Sequence, residues 1–179
     1  MTDIILDRAG IPVVLRRATL VDLSAVIALL VEDPISAARA DRGSTEDWAT
    51  YERAFERIDA DPAQQLLVAA SPAGDVVATM QLTVIPGLAR VGASRLQIEA
   101  VRVRKDLRGQ GIGGAMIRWA VDSAPAQGAR LVQLTSDAGR TDAHRFYTRL
   151  GFKASHVGFK YAVPSVPSLP SFAEPQQAQ

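Results

Sequence analysis

The sequence contains no cysteine, and this one absence removes a disulfide framework, a thiolate metal site and a cysteine acyl-enzyme together. Histidine is nearly as scarce: two residues with no thiol to join them make a poor ligand set, and no metal is expected. An excess of one charge is missing too. With 20 Lys and Arg against 19 Asp and Glu the formal charge is +1, so no overall field points toward nucleic acid or a membrane surface. No apolar run approaches the roughly 18 residues of a membrane span, and residues 1–10 lack a basic region followed by an apolar one. Neither export nor membrane insertion is expected, and a reducing cytoplasm is the default compartment.

What is present is enough for one substantial core: 179 residues, 47% of them hydrophobic. No internal repeat is apparent. From Pro164 onward the composition turns to Pro, Ser, Gln and Ala with little to bury, so residues 1–163 read as one globular domain and residues 164–179 as a disordered tail.

The chain is organised around residues 99–124. Residues 96–103 hold apolar and β-branched positions without Gly or Pro, which predicts a strand. Ile112, Ala115, Met116, Trp119 and Ala120 recur at helical spacing and predict a helix. Between them, Arg108-Gly109-Gln110-Gly111-Ile112-Gly113-Gly114 places four glycines where the helix begins. Backbone N–H groups at a helix start point outward unpaired, and the helix dipole makes them partly positive. Bare of side chains and with Arg108 adding a formal charge, this turn suits a phosphate or pyrophosphate.

Three phosphate-binding patterns compete for these glycines. The P-loop requires Lys and then Ser or Thr after its last glycine, whereas Gly114 is followed by Ala115 and Met116. The dinucleotide fingerprint G-x-G-x-x-G is met literally by Gly109, Gly111 and Gly114, and Asp137 follows a further predicted strand. In that fold the first glycine turns straight off the strand, whereas here residues 104–108, four of them charged, intervene after Val103. The third pattern, Arg/Gln-x-x-Gly-x-Gly/Ala, is met by Arg108, Gly111 and Gly113. With the preceding Val101-Arg102-Val103 it resembles the coenzyme A site of the GNAT superfamily of acyl-CoA N-acyltransferases. Downstream, Ala143-His144-Arg145-Phe146-Tyr147-Thr148-Arg149-Leu150-Gly151-Phe152 resembles that family's Ala-x-x-Phe-Tyr-x-x-x-Gly-Phe helix. The resemblance spans residues 13–163, although the first half carries it only in element order.

The other elements read as follows. Residues 13–17 predict a strand, and Thr19 to Asp22 a capping box that opens a helix through Val31. Ser44 is placed to cap a second helix to Asp59, with Trp48, Tyr51 or Ala54, and Phe55 or Ile58 on its inner side. Residues 66–71 and 76–84 flank the turn Pro72-Ala73-Gly74-Asp75 as two strands. A loop at 86–94, a strand at 131–135, a helix at 141–150 and a last strand at 155–163 complete the order. The expected fold is α/β: a single-domain, GNAT-like mixed sheet, mostly antiparallel, flanked by helices.

The resemblance implies that the central strand pair splays and that the acyl-pantetheine arm of acetyl-CoA lies in the gap, held by backbone groups of Val101 and Val103. It carries the cofactor site onto Val101, Arg102, Val103, Arg108, Gly109, Gln110, Gly111, Ile112, Gly113 and Gly114, and onto Ala143 and Phe146 of the later helix. Arg140 stands where many members have asparagine, so its reach toward a phosphate or an acidic substrate group departs from the pattern. Glu99 matches a glutamate base. Such a base is needed because an alkyl amine with a pKa of about 10.4 is neutral in only about one molecule per few thousand at pH 7. Glu99 is expected to act with a pKa raised by burial or through water, its alternative being an ordinary carboxylate paired with Arg102 or Arg104. Tyr147 matches the family's general acid for the departing thiolate, its alternative being core packing beside Phe146. His144 is expected on an exposed helix face and His156 as a satisfied strand residue. The residues between 33 and 43 and the first two helices are implied to lie over the acceptor side.

The function implied is transfer of an acetyl group from acetyl-CoA to a primary amine by direct attack in a ternary complex. The acceptor is left open between a small amine and a protein or peptide amine, and the family's small members commonly form homodimers. Two other readings stay open at this level: a nicotinamide-dependent oxidoreductase using the glycine fingerprint, and a non-catalytic GNAT-like domain that binds CoA esters. Deleting residues 164–179 should leave the melting temperature and CoA affinity nearly unchanged, because that composition offers little to bury. A loss of several degrees in thermal denaturation would put the tail in the core.

Overall fold

The computed structural model describes residues 4–6, 11–32 and 47–161. Among them six strands form one sheet in sequence order: β1 (Ile4–Ile5), β2 (Val14–Arg17), β3 (Gln64–Ala70), β4 (Val76–Ile85), β5 (Ser94–Val103) and β6 (Ala129–Leu134). Every neighbouring pair is antiparallel except β5 and β6, which run parallel and are joined by the helix α3 (Ile112–Ser123). A doubly wound parallel sheet, which the dinucleotide reading requires, is therefore not formed. The other long helices are α1 (Leu23–Val31), α2 (Trp48–Ala60) and α4 (Thr141–Arg149), and a four-residue helical turn, Ala89–Gly92, lies in the segment expected as a loop at 86–94.

Strand alternation sends side chains to two cores. Leu67, Ala69, Met80, Leu82, Leu96 and Ile98 pack with Ile112, Ala115, Met116, Ile117 and Ala120 of α3. Leu66 and Val68 point the other way and meet Leu23, Val26 and Ile27 of α1 and Phe55 of α2. Each fully buried Leu, Ile or Met contributes roughly 1.5–3 kcal/mol. The predicted α3 face is present, with Ile117 added to it at 0% exposure and Trp119 only partly buried. On α2, Phe55 is buried with Tyr51 and Ile58 beside it, but Trp48 lies outside the core and donates its indole N–H to Glu52 at 2.7 Å.

The sheet departs from expectation at its end. Residues 155–161 form no strand: Val157, Phe159 and Tyr161 alternate as a strand would, yet stand 79%, 92% and 88% exposed. Period-two hydrophobicity signals a surface that fits a pleat, but a strand exists only where a neighbour supplies the ladder. His156 is correspondingly not a strand residue. It is exposed, with Nδ1 2.8 Å from the Ser155 hydroxyl. Ser44, residues 33–46 and the tail from Pro164 lie outside the described residues.

At the entry to α1 the capping box is built around Asp22. Its carboxylate, 5% exposed, accepts the Thr19 N–H at 2.8 Å, the Thr19 hydroxyl at 2.9 Å, and two guanidinium N–H groups of Arg16 at 2.7 and 2.8 Å. One residue thereby ties β2 to α1 through a bidentate, charge-assisted contact. The Arg16 guanidinium, followed by the bonds from Thr19, holds the Asp22 carboxyl down at about 2 against an ordinary 3.8, overcoming the opposing effect of burial.

Because the folded pKa lies below the unfolded one, this contribution is complete above about pH 4 and is lost as pH falls toward 2. Asp22→Asn should therefore cost on the order of 2 kcal/mol at neutral pH and flatten the acid limb of the stability curve. Urea unfolding across pH 2 to 7 reads both effects, and a variant with unchanged midpoints would show that the network carries no stability.

Candidate active site

The site begins where the sheet stops pairing. Strand β5 follows β6 only as far as Ile98 opposite Leu134, and β6 ends there while β5 continues to Val103. On its other edge β5 carries a bulge. Gln81 faces Glu99 and Thr79 faces Arg102, so two residues of β5, Ala100 and Val101, oppose the single Met80. Ala100 takes a φ of 52°, a left-handed conformation that costs a non-glycine residue roughly 1–2 kcal/mol. The end of β6 leaves the outer edge of residues 99–103 without a strand partner among the described residues.

Into this gap opens a cleft of about 370 Å³ lined by Val101, Arg102, Val103, Arg108, Arg140 and Ala143, with Gly139, Thr141 and Asp142 beside them. Six residues expected from sequence to hold the cofactor thus line one cleft, supplied by β5, the loop after it and the start of α4. Arginine side chains occupy the strand's outward carbonyls: Arg102 donates to the Val101 oxygen at 2.8 Å and the Arg108 Nε to the Val103 oxygen at 3.0 Å. Three guanidinium groups beside a strand edge that no other described strand pairs fit an elongated anion with amide groups along its length.

The glycine turn supplies the other half. Gly109 and Gly111 adopt φ values of 80° and 87°, and Gly111 is the residue from which α3 starts, its carbonyl accepting the Ala115 N–H at 2.9 Å. Any side chain at Gly111 would be strained by that φ before it met a neighbour. Gly113 is required by close approach: a Cβ there would sit 3.3 Å from Val103 Cγ2 and 3.7 Å from Phe146 Cζ. At Gly114 the Arg118 guanidinium lies across the position of a Cβ, 3.3 Å away. Gln110 faces the loop and donates to the Asp106 carbonyl, and Ile112 is buried in the core.

Phe146 packs edge-on to Tyr147 with centroids 5.1 Å apart, and Tyr147 packs similarly on Phe152 at 6.0 Å. Burial pushes the Tyr147 phenol above its ordinary value of 10, opposed in smaller measure by the charges of Arg102 and Arg140, which line the cleft. The phenol is thus a proton donor held beside the cleft and fully protonated at neutral pH. Glu99 is exposed on β5 and has neither hydrogen bond nor ion pair among the described residues. The alternative pairing with Arg104 is not formed, since Arg104 binds Asp106 at 2.8 Å. Arg140 is the residue that precedes α4, and His144 is exposed with Nε2 2.9 Å from the Asp137 carbonyl oxygen.

Sequence reasoning missed Glu32. At the end of α1 its carboxylate accepts the Lys105 N–H at 3.2 Å and an Arg108 N–H at 3.1 Å, holding the loop before the glycine turn. Nothing local signals a contact that spans 76 residues of sequence.

The sequence model of the Acetyltransferase (GNAT) family matches residues 27–152. An aminoalkylphosphonate N-acetyltransferase of Salmonella typhimurium strain LT2 is 42% identical over 67 residues, 37% of this chain and 44% of that protein. The chain thus matches less than half the length of this curated relative. A crystal structure described as a transcriptional regulator from Bacillus halodurans C-125 superposes with a TM-score of 0.80 at 40% identity, covering 84% of this chain and 99% of that one. AAC(6')-Iy in complex with the bisubstrate analogue CoA-S-monomethyl-acetylneamine superposes with a TM-score of 0.67 over 84% of this chain and 97% of that one. At 14% identity, this likeness concerns the fold alone.

Gly111→Val should weaken CoA binding more than tenfold, which is more than about 1.4 kcal/mol, while circular dichroism remains that of the folded protein. Unchanged affinity by calorimetry would remove the glycine turn from the site.

Proposed function

The chain belongs to the GNAT acetyltransferase family, and from that premise we propose that it transfers the acetyl group of acetyl-CoA to a primary amine by direct attack in a ternary complex. The observation that carries this reading is the end of β5 beyond Ile98, which has no neighbour on its β6 side among the described residues and lines one cleft with Arg108, Arg140 and Ala143. The residues present fit the cofactor. The arginines of the cleft and the N–H groups at the start of α3 would hold its phosphates, and the edge of residues 101–103 its amide-bearing arm. Acetyl-CoA supplies an activated acetyl thioester.

Glu99 takes the proton that the amine must lose before its nitrogen can attack. Exposed and without a side-chain partner among the described residues, its carboxylate works through water. Tyr147 gives its proton to the sulfur as the thiolate leaves. Its raised pKa suits that role, because the donor form persists past the pH at which an exposed tyrosine has ionised. Arg102 and Arg140 hold positive charge near that phenol. Acceptors of small size are favoured, as the name of the Salmonella relative states for that protein. The reading carries with it a cytoplasmic location and the homodimer common in the family.

Two substitutions separate the proton carriers. Tyr147→Phe keeps the ring and its packing, so CoA affinity should persist while kcat falls roughly 10²-fold or more. Glu99→Gln should leave a residual rate that climbs about tenfold per pH unit toward the pKa of the amine, since turnover then draws on amine already neutral in solution. High pH rescues the second variant more than the first. Wild-type rates in both, measured by thiol release with a verified acceptor, would overturn both roles.

A further inference from the structure

The same strand that carries Glu99 has a second feature that the transfer step does not use. Beyond the bulge, side chains of one parity face the α1 and α2 side of the sheet, as the cross-strand pairs Gln81 with Glu99 and Thr83 with Gln97 fix. That face is a polar strip. Gln64 accepts from both Gln81 and Thr83 at 2.9 Å, and Gln133 donates to Gln97 at 2.7 Å. Two residues further on the same face comes Arg95, opposite Ile85 on β4 and Leu131 on β6. It is half-buried, its Nε is buried without a hydrogen-bond partner, and it forms no ion pair among the described residues.

A guanidinium flanked by two aliphatic residues, with a desolvated N–H left unpaired, is costly unless something meets it. The neighbours on its face are neutral amides, a hydroxyl and hydrocarbon, and the nearest carboxylate on the same face of its strand is Glu99, four residues or about 13 Å away. An arginine stem and a short aminoalkyl chain together bridge that separation. We propose that Arg95 is the specificity residue of the acceptor site, binding an oxyanion group, phosphate-like or carboxylate, carried by the amine whose nitrogen is acetylated beside Glu99. The proposal rests on the acetyltransferase reading and deepens it. The strip orders an acceptor by charge: the ammonium end toward the exposed Glu99 carboxylate, the anionic end toward Arg95, with side-chain amides between that neither attract nor repel net charge.

The test compares wild type, Arg95→Gln and Arg95→Lys with acetyl-CoA and acceptors matched in length: aminoalkyl phosphates, amino acids with a terminal amine, and the corresponding amino alcohols. Wild type should prefer the anionic amines. Arg95→Gln should raise their KM about tenfold or more, the loss of a charge-assisted pair, with kcat nearly held. Arg95→Lys should recover part of the loss, and the phosphate and carboxylate arms identify the oxyanion. If the ratio of kcat/KM for anionic over neutral amines is the same in wild type and Arg95→Gln, the proposal is overturned while acetyl transfer stands. If no amine is turned over, the acetyltransferase reading fails. Arg95 is then judged by calorimetric titration of aminopropyl phosphate into the CoA-loaded protein. Binding that Arg95→Gln abolishes supports the site, whereas equal binding, or none to wild type, overturns it.

Discussion

A sheet that stops pairing in its middle is the constraint on which the rest of this structure depends. Hydrogen-bond groups of a central strand are normally consumed by both neighbours, and leaving them bare inside a fold is costly. Here β5 loses its parallel neighbour after Ile98 and is bent by the bulge at Ala100. The cost is tolerated because the open edge faces a cleft, and because Arg102 and Arg108 satisfy two of its carbonyls from the side.

The surrounding elements hold that opening in place. The core under α3 fixes the glycine turn through buried Ile112 and Met116, while the close approach of Gly113 to Val103 and Phe146 brings turn, strand and α4 within contact of one another. From the opposite side of the sheet, Glu32 binds the loop that leads into the turn, and Asp22 anchors the start of the helix that ends in Glu32. A chain of local contacts thus runs from the first helix to the cofactor loop. Arginines of the cleft gather around the C-terminal end of β5, and amides, Glu99 and Arg95 lie along its face toward α1 and α2.

Legibility followed the range of the interaction. The glycine turn, the α3 face, the box at Thr19 and the Phe146–Tyr147 helix could be read because their causes lie within four residues: helical periodicity, absent side chains and capping chemistry. The segment at 155–161 misled for the complementary reason. Its alternation is local, but strandhood belongs to a pair. Trp48 was assigned to the inside by spacing alone, and spacing does not say how far the neighbouring sheet extends.

By itself, then, the sequence determined the glycine turn, the arginines around it and the order of the elements through α4, since these follow from near-neighbour sterics and from the glycine and arginine positions. Only the tertiary structure decided where β5 and β6 part, that Glu99 is exposed and unpaired, that Tyr147 is desolvated beside two arginines, that Glu32 grips the loop, and that Arg95 shares a face with Glu99. Register, burial and contacts across 76 residues arise from the packing of remote segments, and no window of sequence contains both partners.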